Sequence, residues 1–439
     1  MTQTSLAGTQ NPPPVKAAAS KHGTLTVAQG TALNVGAVLG TGVLVLPGYA
    51  VREAGPASLL AWVGLVLLSI PLAATFAALG SRYPDAGGVS TYVRAAFGPR
   101  PAAVVGWWFY VGAPVGVPAL ALFGGSYLAR VFHGGQAATA EYAALLLALG
   151  LLSNAFGVRI SGRVQLFLSA TLALILIIAF TVSLPHARTA NLHPFAPHGW
   201  SGISSAAALL VWSFTGWETM THLAGEFAQP KRDIKRATAC ALFVVSALYL
   251  GLAFVTVLTL GAGAGRSATP LASLLDYGFG DLGPVLATAV ALAVTLGTIN
   301  AYVASTAKLG AALARDGALP RYFAAGAETG GVPRRSLFVV AAMSSMTLIL
   351  VTLTGFDVQK LVLSCVACLI SVYVLGAASG IRLMHRSSRA GTAAAAAALA
   401  LLTILLALTG WYLLWSALLA GSAYTFTTLK TRGVQAVRS

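Results

Sequence analysis

Residues 209–237 read LLVWSFTGWETMTHLAGEFAQPKRDIKRA. An apolar run of helical length is interrupted at Ser213 to Gly216, carries Glu218, His222 and Glu226, and exits through Lys231, Arg232, Lys235 and Arg236. The three ionisable residues are spaced four apart, which places them along one face of a helix. An ionised carboxylate at mid-span costs about 2.5 to 3.5 kcal/mol on insertion scales. Such a group must face a wet cavity or take up a proton, and either outcome marks a solute or proton path.

Composition supplies the setting. Of 439 residues, 57% are apolar and 9% charged, and mean hydropathy is +0.80. A soluble domain carries roughly a quarter charged residues, so the chain reads as an all-α integral membrane protein. A helical span needs about 20 apolar residues. Twelve segments meet that need, near 26–52, 57–80, 101–131, 138–157, 164–185, 202–226, 237–261, 283–312, 337–355, 358–381, 391–409 and 410–429.

The net charge of +16 raises nucleic-acid binding as a class, but the basic residues are dispersed between the apolar segments and form no patch. They fit a positive-inside bias instead. With a cytoplasmic N-terminus, only Arg52, Arg130, Arg188, Arg266 and Lys360 fall outside, leaving 22 of the 27 Lys and Arg inside. Both termini are therefore expected in the cytoplasm, with the chain in a cell (inner) membrane. Residues 1–25 hold Pro12, Pro13 and Pro14 and no signal-peptide core, and are expected to be a disordered cytoplasmic tail; 430–439 are expected to be a cytoplasmic C-terminal tail.

A second interruption lies in the first segment, at Gly40-Thr41-Gly42. The two interrupted segments open two successive groups of five, which points to repeats at 26–185 and 202–381, with the last two segments, 391–429, left over. Matching breaks in two halves are the sequence pointer to the binding site of an inverted-repeat transporter. Unwound backbone in lipid must line a cavity or hold a ligand. The N-terminus of the continuing half-helix suits a carboxylate and freed carbonyls suit an ammonium, so the pair suits a zwitterion. Plainer readings stand beside this one: Gly36 and Gly40 form a GxxxG packing motif, and Pro47 alone suffices for a kink.

Three stretches, GTGVLVLP (40–47), WSFTGWE with EFAQPKRDIKRA (212–237) and ARDGALPRYF (314–323), resemble the amino acid, polyamine and organocation transporter superfamily. That resemblance implies a LeuT-type fold of five-plus-five inverted repeats with discontinuous helices 1 and 6. More narrowly, RYPDAGGV (82–89), PVGVPA (114–119) and HLAGEF (222–227) are similar to bacterial exporters of methionine and branched-chain amino acids. Carried over by position, the N–H groups of Thr41 and Gly42 would hold a substrate carboxylate. The carbonyls of Val38, Trp212 and Thr215 would accept from its ammonium, with Gly40, Ser213, Phe214 and Gly216 completing the site and Trp212 packing over the substrate. Glu218 matches the superfamily's proton-sensing glutamate; His222 either exchanges its proton or holds it in place, and Glu226 either joins the coupling or pairs with the following basic loop.

The resemblance has gaps. The fifth segment has no lysine of the kind that replaces sodium in some proton-coupled members. Ser305 and Thr306 offer hydroxyls at a sodium position, yet adjacent hydroxyls in such helices usually bond back to their own backbone. The proton is the expected coupling ion, with no cofactor and no metal. No second carboxylate awaits a cationic side chain, whereas Trp212, Phe214 and Trp217 favour an apolar one: methionine, leucine, isoleucine or valine. Uptake, exchange or a transporter-like sensor are the competing roles. No enzyme motif is present, Cys365-x-x-Cys368 reads as packing, and His186, His193 and His198 have no ligand spacing.

Overall fold

The computed structural model describes residues 26–83, 88–156, 162–218, 227, 229–326 and 332–436. His222 and Glu226 lie outside the described residues. The described chain is helical: α1 (Val27–Val38), α2 (Gly42–Ala54), α3 (Ser58–Arg82), α4 (Val89–Phe97), α5 (Pro99–Val131), α6 (Gln136–Ala155), α7 (Gly162–Ser183), α8 (Gly199–Leu210), α9 (Pro230–Val255), α10 (Pro270–Phe279), α11 (Leu282–Arg315), α12 (Arg334–Thr354), α13 (Val358–Met384), α14 (Arg389–Leu408) and α15 (Tyr412–Ala436). Nine runs among the described residues are long and apolar enough to cross a membrane. One of them, Gly42–Arg82, joins α2 and α3 through Gly55, whose φ of 59° turns the chain while Pro197 closes over it. Twelve such segments are expected from the sequence; the first is divided between α1 and α2, the sixth is described continuously only as far as Glu218, and the twelfth is the helix α15, which is not among the nine.

Helix starts follow local chemistry. Thr26 and Gln29 form a reciprocal capping box ahead of α1, Asp357 accepts from the Gln359 N–H at 2.9 Å, and Ser388 accepts from the Gly391 N–H at 3.0 Å. At a span end these bonds replace water that lipid does not supply.

The pillar of the bundle is α5, with 22 of its 33 residues buried. Its glycines let neighbours approach closely. A Cβ at Gly106 would meet Leu313 at 2.4 Å, at Gly112 the Cys368 Cβ at 3.1 Å, and at Gly124 Thr295 at 2.8 Å. Pro118 lacks the N–H that would bond the Pro114 carbonyl, and the Ser344 hydroxyl of α12 donates to that carbonyl instead, at 3.0 Å. Beside it, Asn154 of α6 donates to the Asn300 side chain of α11 at 2.8 Å, and Ser153 donates to the same oxygen at 2.9 Å. These contacts make α5, α6, α11 and α12 a mutually fastened frame.

Charge sorts to the two ends of the bundle. Arg130 of α5 pairs with Asp276 of α10, and the Arg52 backbone abuts Gly265 at the same end. At the other end Arg94 of α4 pairs with Asp316 at 2.8 Å and Lys430 donates to the Gly317 carbonyl at 3.1 Å.

Candidate functional site

Both breaks lie at the middle of the bundle, and they touch. In the first segment the helix stops at Val38 and restarts at Gly42, so residues 39–41 form the gap. In the sixth, α8 tightens into a 3-10 turn at Val211–Phe214, then Thr215 is extended and Gly216 takes φ 116°. A Cβ at Gly216 would lie 2.8 Å from the Ala37 carbonyl oxygen, and one at Gly42 would lie 2.8 Å from Ser213 Oγ and 3.0 Å from Trp212 Cδ1. Only glycine tolerates both the backbone angle and the approach at 216. Gly40 differs, since a Cβ there would meet nothing within 4 Å.

The polar groups here are unevenly satisfied. Thr41 Oγ1 and Ser213 Oγ are buried without a hydrogen-bond partner. Buried hydroxyls left unpaired cost about 1 to 3 kcal/mol each, a cost that a bound polar ligand removes. In the first turn of α2 the Leu44 N–H bonds the Thr41 carbonyl at 3.1 Å, and those of Gly42 and Val43 precede any intrahelical acceptor. Together they form a donor-rich spot between the two breaks.

The carbonyls assigned from sequence are busier than that reading assumes. The Tyr249 hydroxyl of α9 lies 2.8 Å from the Val38 carbonyl and 2.8 Å from that of Ser213, tying the two segments together. Trp212's carbonyl accepts from both the Thr215 N–H, at 3.3 Å, and its hydroxyl, at 2.8 Å. An ammonium would therefore use the Thr215 carbonyl, the second lone pair of Val38, or the Trp212 carbonyl after displacing a Thr215 bond.

Trp212 is half-buried, and its ring rests against Gly116 of α5, where a Cβ would meet it at 2.9 Å, next to Cys365 Sγ at 2.9 Å. Phe214 is packed between Trp62 and Tyr249, with ring centroids at 5.8 and 5.1 Å. Trp217 is also buried, at 1% exposure. Of the three aromatics expected to face a substrate, Trp212 alone keeps open surface; Phe214 braces the break from behind and Trp217 is buried.

Glu218 is 8% exposed. The Tyr373 hydroxyl of α13 donates to its carboxylate, and the Gly216 N–H lies 3.1 Å from the carboxylate and 3.0 Å from the Tyr373 oxygen. Tyr302 of α11 lies beside Thr215 and Glu218. The glutamate thus connects the break through Tyr373 to α13, which packs on the α5 pillar through Cys368.

Sequence reasoning missed Tyr249, Tyr373 and Tyr302. The signal was available: a tyrosine in the middle of an apolar span brings a hydroxyl that needs a partner. Cys365 and Cys368 face Gly116 and Gly112, in agreement with the packing reading. Ser305 bonds back to the Tyr302 carbonyl at 3.1 Å. His198 contacts the Glu53 carbonyl at 2.8 Å, His186 stacks on Tyr277 at 4.7 Å, and no metal-holding cluster is found among the described residues.

A bundle of membrane-length apolar helices, with two backbone gaps meeting at its centre, defines a multi-pass membrane protein. The chain belongs to the amino acid permease family, whose model matches residues 25–428. It is 35% identical over 409 residues to the uncharacterized amino acid permease YecA of Bacillus subtilis, covering 93% of this chain and 96% of that one. It is 29% identical over 406 residues to the L-methionine/branched-chain amino acid exporter YjeH of Escherichia coli, covering 90% and 94%. A further relative, the vacuolar cationic amino acid transporter 4 of Arabidopsis thaliana, is 28% identical over 343 residues, covering 72% and 56%.

Proposed function

We propose that this permease exports neutral apolar amino acids, methionine, leucine, isoleucine and valine, by proton-coupled alternating access. The observation that carries the reading is the meeting of the breaks, where unpaired Thr41 and Ser213 hydroxyls and the first turn of α2 offer donors beside the carbonyls of Val38 and Trp212. A zwitterion complements that pattern with no charged side chain in contact. The name of the Escherichia coli relative supports the substrates and the direction.

In this reading the chain has twelve spans in a LeuT-type five-plus-five arrangement, with repeats at 26–185 and 202–381. Its termini face the cytoplasm and it sits in the cell's inner membrane. Glu218, gripped by Tyr373 and Gly216, takes up and releases the coupling proton as the sixth segment moves; His222 and Glu226 continue that path.

The cationic relative raises a different side-chain class. A guanidinium at the site needs a carboxylate, since an unpaired buried charge is costly. Glu218 already takes bonds from Tyr373 and Gly216, which supports the apolar class.

Uptake of labelled methionine into proteoliposomes, with and without a pH gradient and with or without sodium, tests the function. Gradient-driven, sodium-independent accumulation competed by leucine and not by arginine is expected. Competition by arginine would replace the substrate class, and exchange without net flux would make the protein an exchanger.

A further inference from the structure

At the α10 end, one face of α5 reaches into both elements that close over the site. The Tyr127 hydroxyl donates to the Leu44 carbonyl of α2 at 2.7 Å, and the Tyr127 carbonyl accepts from Thr288 of α11 at 3.0 Å. Three residues further along α5, hence on the same face, the Arg130 guanidinium donates to Thr269 Oγ1 at 2.9 Å and Ser273 Oγ at 2.9 Å and pairs with Asp276. Those three acceptors are the N-cap, the second turn and the last turn of α10.

The start of α10 sits directly on α2. A Cβ at Gly48 would meet the Ala264 carbonyl at 2.7 Å and Pro270 at 3.3 Å. Thus α10 is a ten-residue cover resting on α2 at its beginning, bonded at three points along its length by Arg130, and held on another side by α7, where the Ser183 hydroxyl donates to the Leu274 carbonyl at 2.9 Å. The fork of a guanidinium can hold several acceptors in fixed directions at once, which an ammonium cannot.

We propose that Tyr127 and Arg130 are the latch that holds the α10 end of the path closed, with α5 as the fixed post. The proposal rests on the alternating-access reading. In it, opening at this end requires α10 to leave Arg130 and α2 to leave Tyr127 together. Both residues position the gate and neither contacts the substrate.

Cys365 lies at the centre, against Trp212 and Gly116, and serves as a reporter in a Cys240→Ser, Cys368→Ser background of the full chain. Labelling by a membrane-impermeant methanethiosulfonate is followed separately from each face of the membrane. Arg130→Ala is expected to raise the rate about tenfold from the α10 face alone, the effect of losing a charge-assisted bond set. Tyr127→Phe, which keeps the ring, should raise it about threefold, and Arg130→Lys should fall between wild type and Arg130→Ala.

An unchanged rate in Arg130→Ala and Tyr127→Phe proteins that elute as single folded species overturns the latch, as does an equal rise from both faces. The readout needs no substrate. Faster labelling with no amino acid flux in the parent protein would leave the latch standing and remove the transport reading.

Discussion

The two halves of the first broken segment differ sharply in how they are held. In α1 only four of twelve residues are buried, Gly30, Asn34, Val35 and Val38; in α2 ten of thirteen are. The sequences explain this: α1 carries Gln29, Thr31 and Asn34 among small residues, whereas α2 begins GVLVLPGYAV. Packing follows, with α2 pressed against α10 through Gly48 and bonded to α5 through Leu44, while α1 is tied to α9 by Thr31 to the Ala237 carbonyl at 3.4 Å and Val38 to Tyr249. Few buried apolar contacts mean a low local free energy of displacement. The pairing therefore separates a deeply seated half from a less buried one, with the three residues 39–41 as the hinge between them.

The strongest way to break this comparison is to fill the hinge contacts. Gly42→Val would drive methyl groups into Ser213 and Trp212, and Gly216→Ala combines a positive φ with a 2.8 Å approach to the Ala37 carbonyl. Each should reduce methionine binding at least about 100-fold, the scale of 3 kcal/mol of overpacking or strain. Gly40→Ala, facing open space, should bind within about twofold of wild type, since surface-like changes stay near 0.5 kcal/mol. Calorimetric titration of the three variants decides it, and equal losses would deny that the close approach matters.

Next in size is the link from the sixth segment to the frame. Glu218→Gln should flatten the pH dependence of transport with binding largely retained, and Tyr373→Phe should shift the same profile, because each removes one side of the bond between them. Pre-steady-state flux at several pH values checks both. An unaltered profile in Glu218→Gln takes the glutamate out of the coupling.

A smaller effect is expected at Tyr249. Tyr249→Phe keeps the stack on Trp62 and Phe214, at 5.1 Å each, and frees the Val38 and Ser213 carbonyls. Loss of the hydroxyl should speed amide hydrogen exchange in α1 about tenfold and leave α2 unchanged, as one net hydrogen bond of about 1 to 1.5 kcal/mol predicts. Equal acceleration in both halves would erase the asymmetry.

The smallest effect concerns pH at the cover. Burial raises the Asp276 pKa above the ordinary 3.8, outweighing the opposing pull of Arg130, and Asp281 adds to the rise. A carboxylate whose pKa is higher in the closed state than when solvated favours closure as pH falls, and its ionisation loosens closure as pH rises through that pKa. Because the thiolate fraction itself falls as pH is lowered, the Cys365 labelling rate from the α10 face is compared with that of Asp276→Asn at each pH, and the ratio of wild type to variant should fall modestly between about pH 6 and about pH 4. A ratio that does not change with pH would take Asp276 out of the closure.

Hydropathy alone makes the apolar segments legible, and both breaks are visible as glycine and hydroxyl residues inside them. What the sequence does not display is partnership across long separations. Tyr249 and Val38 are 211 positions apart, Tyr373 and Glu218 are 155, and Arg130 and Asp276 are 146. No local pattern links such pairs; their meeting depends on the order and register of packed helices. The same ignorance explains the Val38 and Trp212 carbonyls, which look free in a broken segment read alone, and Phe214, whose direction is set by Trp62 and Tyr249 behind it. Length and composition also count differently once the chain is folded, since the first segment divides at its break and its second half, α2, merges with α3 into one run.

The central claim is that the backbone of the two breaks reads the zwitterionic head of the substrate. Equilibrium competition against labelled methionine by leucine, methionine amide and 4-methylthiobutyrate tests it, because leucine keeps both charges while the other two each keep the methionine side chain and lose one. The account predicts that leucine competes and that each head-altered compound is weaker than methionine by at least about tenfold, the worth of one charge-assisted hydrogen bond. Competition by the amide or the butyrate equal to methionine's would contradict it.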